Sequence, residues 1–186
     1  MLHGLDVSSY NASFDPKGQS FVFVKATEGR SYINPRQFAQ ARRAREAGLV
    51  LGFYHFLWPG NIEAQARYFV EECDSHWEDP LVCDWEFTGD GTAATNAEKD
   101  AFIREVKRLR PHKRVLLYSN RDFWLHRDTT SYAGDGLWIA DYRTAGKPKI
   151  KAKWLFHQYT DTPHDKNVAN FSSTKALRTW ASGAHS

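Results

Sequence analysis

The chain is poor in cysteine, has no long apolar run and concentrates charge of neither sign, and each shortage closes off a class of protein. Cys73 and Cys83 are its two cysteines, too few for a disulfide framework, and neither has a Cys or His neighbour at zinc spacing. They read as free thiols packed like small hydrophobes, one on a helix and one on the strand after it, with pairing between them left open. No stretch of 18 apolar residues occurs, so no membrane-spanning helix is expected. Met1-Leu2-His3-Gly4-Leu5-Asp6 enters a strand pattern at once, without the basic segment, apolar segment or cleavage site of a signal peptide. Lys and Arg total 25 against 22 Asp and Glu, a formal net charge of +3. The basic residues are dispersed over helix faces, as at Arg42, Arg43 and Arg45, and do not form the patch with stacking aromatics that nucleic acid requires. Also missing are a Gly-rich phosphate loop, a G-x-S-x-G elbow and an H-E-x-x-H helix, which removes nucleotide, esterase and zincin chemistry. His3, His55, His157 and His164 make no spaced ligand set. No metal and no cofactor is expected.

What is present is ample core. With 41% hydrophobic and 15% aromatic residues, the 186 residues read as one domain, 1–186, with no linker, repeat or low-complexity segment. Three strong helix signals appear. Asn34-Pro35 reads as an N-cap with Pro at the first helical position, Phe38, Ala41 and Ala44 as the apolar face, and Gly48 as the stop. A second helix opens near Asn61 with a stripe of Ile62, Ala66, Phe69, Val70 and Cys73. A third has a capping box of Thr95 with Glu98, then Phe102, Ile103, Val106 and Leu109, and ends at Pro111. Shorter helices are expected near 120–127 and 173–181, and Thr88–Thr95 reads as a longer loop.

Between the helices lie runs that are apolar on both faces: Phe21–Val24, Leu49–Tyr54, Leu81–Cys83, Val115–Tyr118 and Leu137–Ala140. Strands buried on both sides indicate a parallel sheet covered by helices. Adding Gly4–Ser8, Trp154–Thr160 and about Val168–Phe171 brings the expected number of strands to eight, which suggests a closed barrel. A regular (β/α)₈ barrel takes roughly 250 residues. The expectation is therefore an α/β fold, an irregular (β/α) barrel that is TIM-like with its later helices missing or reduced.

Chemistry in such barrels gathers where strands end at the C-terminal face. The runs end repeatedly in carboxylates: Asp6 after the first, Glu28 after the second, Asp84-Trp85-Glu86 after the fourth, Asp141 after the sixth, with Asp165 before the last. A lone strand-end acid is commonly a cap or turn residue. Asp84 and Glu86, two residues apart on one strand, point to the same face with Cα atoms about 6.5 Å apart. Acids so placed raise each other's cost of ionisation, so that one keeps a proton while the other stays charged. Glycoside hydrolysis needs that division of labour. Tyr54, Tyr118, Trp138 and Tyr142 also fall at or near strand ends, where flat rings can pack on the CH faces of sugars, although each taken singly fits a core position as well.

The blocks Gly4-Leu5-Asp6-Val7-Ser8, Phe23-Val24-Lys25-Ala26-Thr27-Glu28-Gly29, Gly52-Phe53-Tyr54-His55-Phe56, Asp84-Trp85-Glu86, Leu117-Tyr118-Ser119, Leu137-Trp138-Ile139-Ala140, Gln158-Tyr159-Thr160 and Asp165-Lys166-Asn167 follow one another along nearly the whole chain. In that order and spacing the chain resembles the family 25 glycoside hydrolases, the Chalaropsis-type lysozymes. The resemblance implies an irregular β/α barrel and a muramidase that hydrolyses the β-1,4 bond between N-acetylmuramic acid and N-acetylglucosamine in bacterial peptidoglycan. It implies Glu86 as general acid/base with Asp84 as its partner, and Asp6 and Asp165 as two further acids of the site. Tyr54, Tyr118, Trp138 and Glu28 are the expected substrate-binding residues. Trp85 departs from the smaller residue often found between the two acids and is expected to point away from the chemistry. A monomer acting on the cell wall is expected, either a phage endolysin released from the host cytoplasm or a secreted enzyme without its leader. A chitinase-like glycosidase and a non-catalytic wall-binding barrel are the alternatives.

Overall fold

The computed structural model describes residues 1–183; the last three residues of the 1–186 unit lie outside the described residues. Its strands are β1 (Leu2–Val7), β2 (Phe21–Glu28), β3 (Tyr32–Ile33), β4 (Val50–Phe56), β5 (Leu81–Trp85), β6 (Val115–Asn120), β7 (Leu137–Ala140), β8 (Phe156–Thr160) and β9 (Lys166–Ala169). Eight of them close in the order β1-β9-β8-β7-β6-β5-β4-β2, with β1 pairing β2, while β3 is a short antiparallel extension of β2. The helices are α1 (Gln37–Glu46), α2 (Ile62–Glu72), α3 (Asn96–Leu109), α4 (Arg121–His126) and α5 (Thr174–Ala181). The β1–β2 connection has no helix, full crossover helices follow β2 with its β3 extension, β4 and β5, α4 is a short remnant, and no helix stands between β7 and β9. No helix among the described residues is long and apolar enough to cross a membrane.

The sheet is mixed, and this corrects the all-parallel expectation. β9 runs antiparallel to both β8 and β1. Only Asp161–Asp165 separate β8 from β9, and a parallel return needs a crossover of a dozen residues or more. The chain can therefore only reverse. α1 also differs: it begins at Gln37 with Arg36 as N-cap. Asn34 is instead buried, donating to the Lys25 carbonyl oxygen (2.9 Å) and Gln40 Oε1 (3.0 Å) and accepting from the Arg36 N–H. Phe38, expected on the apolar face, is 57% exposed, because the barrel-facing positions are taken by Ala41 and Ala44. The capping box of Thr95 and Glu98 on α3 is present as expected. Cys83 is buried, Cys73 half-buried, and both thiols are free.

Alternation along each strand divides the apolar residues into two cores. Val22, Val24, Leu51, Phe53, Leu81, Cys83, Leu117 and Ile139 face outward and pack under the helices. Phe21, Phe23, Val50, Val82, Leu116, Trp138, Phe156 and Ala169 fill the barrel. At the N-terminal end α5 acts as a stopper, its Leu177 and Ala181 joining the inner core and Trp180 packing on Phe156 and Phe171. Large rings fit inside because small residues face them. A Cβ on Gly4 would come within 2.4 Å of the Phe21 ring, and one on Gly52 within 2.5 Å of Phe23. Gly52→Ala is therefore expected to destabilise the fold by about 1–3 kcal/mol through overpacking. Gly89→Ala, with open space around it, should leave the chemical-denaturation midpoint unchanged.

Candidate active site

At the C-terminal end of the barrel the inward positions change from apolar to polar, and seven strands each contribute a side chain to the mouth. They are Asp6 (β1), Tyr54 (β4), Asp84 (β5), Tyr118 (β6), Trp138 (β7), Gln158 (β8) and Asn167 (β9). All but Asn167 line a cavity of about 230 Å³, together with Glu86, Tyr142, Asp161 and Asp165. Every expected catalytic acid is thus brought to one place. The reversal of β9 matters here: in a parallel barrel the residue preceding a strand lies at the opposite end, and only the antiparallel turn puts Asp165 at the mouth.

A hydrogen-bonded ring holds the floor. Asp6 Oδ2 accepts from Gln158 Nε2 (2.8 Å) and Asn167 Nδ2 (2.7 Å). Trp138 Nε1 donates to Asn167 Oδ1 (2.7 Å), while the Tyr118 and Tyr142 hydroxyls both donate to Gln158 Oε1 (2.8 and 3.2 Å). The Tyr54 hydroxyl donates to the Val7 carbonyl (3.3 Å). Trp138 stacks on Phe23 at 4.5 Å between ring centroids and is only 2% exposed, so it supports the floor and offers the cavity little of its face. Tyr142, 55% exposed, is the open aromatic at the rim.

Outside the barrel, Trp85 turns away from the cavity as expected, fully buried, with its Nε1 donating to the Ala94 carbonyl (2.8 Å). Its ring lies 5.4 Å from Lys99 Nζ, which is itself buried and held by Asp100, Asp128 and the Tyr132 carbonyl. The bulky residue between the two acids is accommodated by this outer layer. His55, next to Tyr54, also faces outward: it bonds Thr27 and Gln65, stacks on Phe102, and burial holds its pKa down at about 4. Glu28 does not line the cavity. It pairs with Lys25 Nζ (3.0 Å) and faces a second hollow of about 590 Å³ bordered by Arg30, Tyr32, Trp58 and Asn61.

Burial dominates the electrostatics. Desolvation and the Asp165 charge raise Asp6 to about 7 in spite of its two amide donors. Desolvation and the Asp161 charge raise Asp165 to about 6. Asp84, the most enclosed, is raised well above the usual carboxylate range by desolvation and then by Glu86; its Oδ1 is buried and meets no protein donor. Glu86 is raised less, because a hydrogen bond with Asp84 and the charge of Lys25 oppose its desolvation. Both shifts run in the direction expected of two neighbouring carboxyls that lose water together. Tyr54 and Tyr118 are pushed up well beyond their usual range and stay protonated donors.

Proton-bearing carboxyls beside ionisable ones, with amide and phenol groups to orient hydroxyls, are the equipment for cleaving an acetal. Fold and mouth together define a barrel glycosidase. The profile of glycosyl hydrolases family 25 matches residues 5–168, and the chain belongs to that family of glycoside hydrolases. It is 27% identical to Lysozyme M1 of Streptomyces globisporus, over 95% of this chain and 70% of the relative. It is 32% identical to the N,O-diacetylmuramidase of a Chalaropsis species, over 66% of this chain and 68% of the relative. The solved muramidase of Acremonium alcalophilum superposes with a TM-score of 0.85 at 26% identity, covering 98% of this chain and 100% of that one.

Gln158, Asn167, Asp161 and Lys25 were not among the expected site residues. The signal for Gln158 was its place two residues after Phe156, on the same inward face; for Asn167 it was the tail of the Asp165-Lys166-Asn167 block. The raised pKa of Asp6 has a measurable consequence. Over the interval from about 4, where an unfolded Asp ionises, to about 7, the folded chain holds a proton the unfolded chain has lost, so stability falls as pH rises. The melting temperature is expected to drop between pH 5 and pH 8, and Asp6→Asn should flatten that drop in scanning calorimetry.

Proposed function

We propose that the chain is a muramidase that hydrolyses the β-1,4 bond from N-acetylmuramic acid to N-acetylglucosamine in bacterial peptidoglycan. What carries the reading is the Asp84–Glu86 pair on the floor of the cavity in a member of this family. In this reading Glu86, the less enclosed acid, is the general acid/base. Asp84 attends to the 2-acetamido group of the muramic acid.

The buried, partnerless Oδ1 of Asp84 suits an amide N–H as its donor. Such a bond stabilises the Asp84 carboxylate, and the transferable proton then belongs to Glu86. The acetamido carbonyl oxygen attacks the anomeric carbon as the glycosidic C–O bond breaks, and the departing oxygen takes the proton from Glu86. Asp84 holds the charge that develops on the ring so formed. Glu86, now a carboxylate, removes a proton from water, which attacks the anomeric carbon and opens that ring with overall retention. Asp6, fixed by Gln158 and Asn167, and Asp165 border the sugar, as do Tyr54, Tyr118 and Trp138. The second hollow, with Tyr32 and Trp58 at its edge and Glu28 within it, offers room for the polymer beyond the cleaved bond.

Release of reducing ends from peptidoglycan, with chitin as comparison, tests the assignment. Glu86→Gln is expected to lower kcat by about 10²–10⁴-fold, the usual worth of a general acid. Turnover of chitin in preference to peptidoglycan would point to the chitinase-like alternative, and binding without turnover by the wild type to a wall-binding barrel. Proton NMR of the first sugar released should show the β anomer; initial appearance of the α anomer would rule out participation by the acetamido group.

A further inference from the structure

Seven of the eight barrel strands bring an inward residue to the mouth, and the eighth brings a cation. Along β2, Phe21 and Phe23 face the barrel core and Val22 and Val24 the helices, so the alternation puts Lys25 at the next inward position, just before the strand's irregularity at Lys25/Thr27. Its register partner is Tyr54 of the cavity, and Phe56, two residues along, is in register with Asp84. The ammonium is not free to wander. Glu28 Oε1 holds it at 3.0 Å, and it lies 5.2 Å from the centre of the Tyr32 ring and 5.1 Å from that of Phe56. Only 16% of the side chain is exposed. Two ring faces and one carboxylate fix a side chain that ordinarily samples many rotamers.

We propose that Lys25 is a positioning residue for the acid pair, the fixed cation against which one of Asp84 and Glu86 ionises while the other keeps the transferable proton, with Glu28 as its tether. The inference rests on the roles given above to those two acids. Its support beyond geometry is that Lys25 favours the charged form of both, whereas Glu28 disfavours that of Glu86. The other groups facing the pair do not substitute for it. Asp6 from β1 and Asp165 and Asp161 from the β8–β9 loop are acids, and the phenols of Tyr54, Tyr118 and Tyr142 are neutral. His55 on β4 points toward the helices and is uncharged at neutral pH.

The test uses Lys25→Met, Lys25→Arg and Glu28→Gln, with two readouts: the pH profile of kcat on soluble peptidoglycan fragments, and carbon-13 NMR titration of the carboxyls in the substrate-free protein. Lys25→Met is expected to move the acidic limb, and the first ionisation of the pair, upward by about one pH unit, with KM little changed. Lys25→Arg should restore the limb. Glu28→Gln, which removes a negative charge near Glu86, should move it downward. Opposite shifts from two neighbouring substitutions are not produced by general loss of structure. Unchanged ionisation in Lys25→Met, or shifts of the same sign in Lys25→Met and Glu28→Gln, would overturn the proposal. If Lys25→Met does not fold, Lys25→Gln, which keeps a polar tip without the charge, is titrated in its place, and an unshifted pair there overturns the proposal. An inactive wild type would count against the muramidase reading alone, since the NMR titration needs no substrate.

Discussion

A carboxylate that enters a closed barrel gives up water, and the mouth of this one is organised around that loss. Five acids border one small hollow, and the three whose shifts are largest, Asp84, Asp6 and Asp165, owe them first to desolvation and then to a neighbouring acid, Glu86, Asp165 and Asp161 respectively. The protein offsets the loss unevenly. Asp6 receives two amide donors, Glu86 keeps some contact with solvent, and Asp84 Oδ1 receives no protein donor at all. That inequality leaves Asp84 and Glu86, two chemically similar side chains, with unequal proton affinities, the difference on which the proposed acid/base roles rest.

The rest of the fold follows from keeping this mouth rigid. Barrel closure through β1–β2 and the reversed β9 brings Asp6 and Asn167 within hydrogen-bonding distance, although they are far apart in sequence. Gln158 then ties the first strand to the sixth through Tyr118 and to the rim through Tyr142. The amide is the junction of the ring because it donates and accepts at once. Below it, Phe23 and Trp138 stack and leave the floor no room to shift. The asymmetry of the outer layer is consistent with this. β2, β4 and β5 are followed by full helices, and the end of β5, with Asp84 on the strand and Glu86 just beyond it, is backed by α3 and the buried Lys99 network against the Trp85 ring.

Family membership and position along the barrel point the same way without depending on each other. The profile match rests on the order of residues along the chain, whereas the convergence of Asp6, Asp84, Glu86 and Asp165 is a property of space. The solved muramidase at 26% identity shares the barrel, and in this chain the inner packing of Gly4 against Phe21 and Gly52 against Phe23 leaves little room for substitution. Trp85 shows how a departure is absorbed: its bulk faces the helices, where an outward pocket accepts it, and the inward neighbours keep their places.

Much of this was legible before folding, because strand and helix periods are local. Runs apolar on both faces predicted a helix-covered barrel, the capping box of Thr95 and Glu98 predicted α3, and the two-residue spacing of Asp84 and Glu86 put both on one face. The strand-end acids could be picked out because each follows its own apolar run. Tertiary structure alone decided the remainder: that β9 reverses and so delivers Asp165, that Phe38 is exposed and His55 turned outward, that Trp138 is floor, and that Glu28 grips Lys25 instead of lining the cavity. The reason is physical. Which face a residue occupies is set by its own strand, but which charges share a water-poor space depends on strands brought together from opposite ends of the chain, and the cost of that sharing appears only once the barrel has closed.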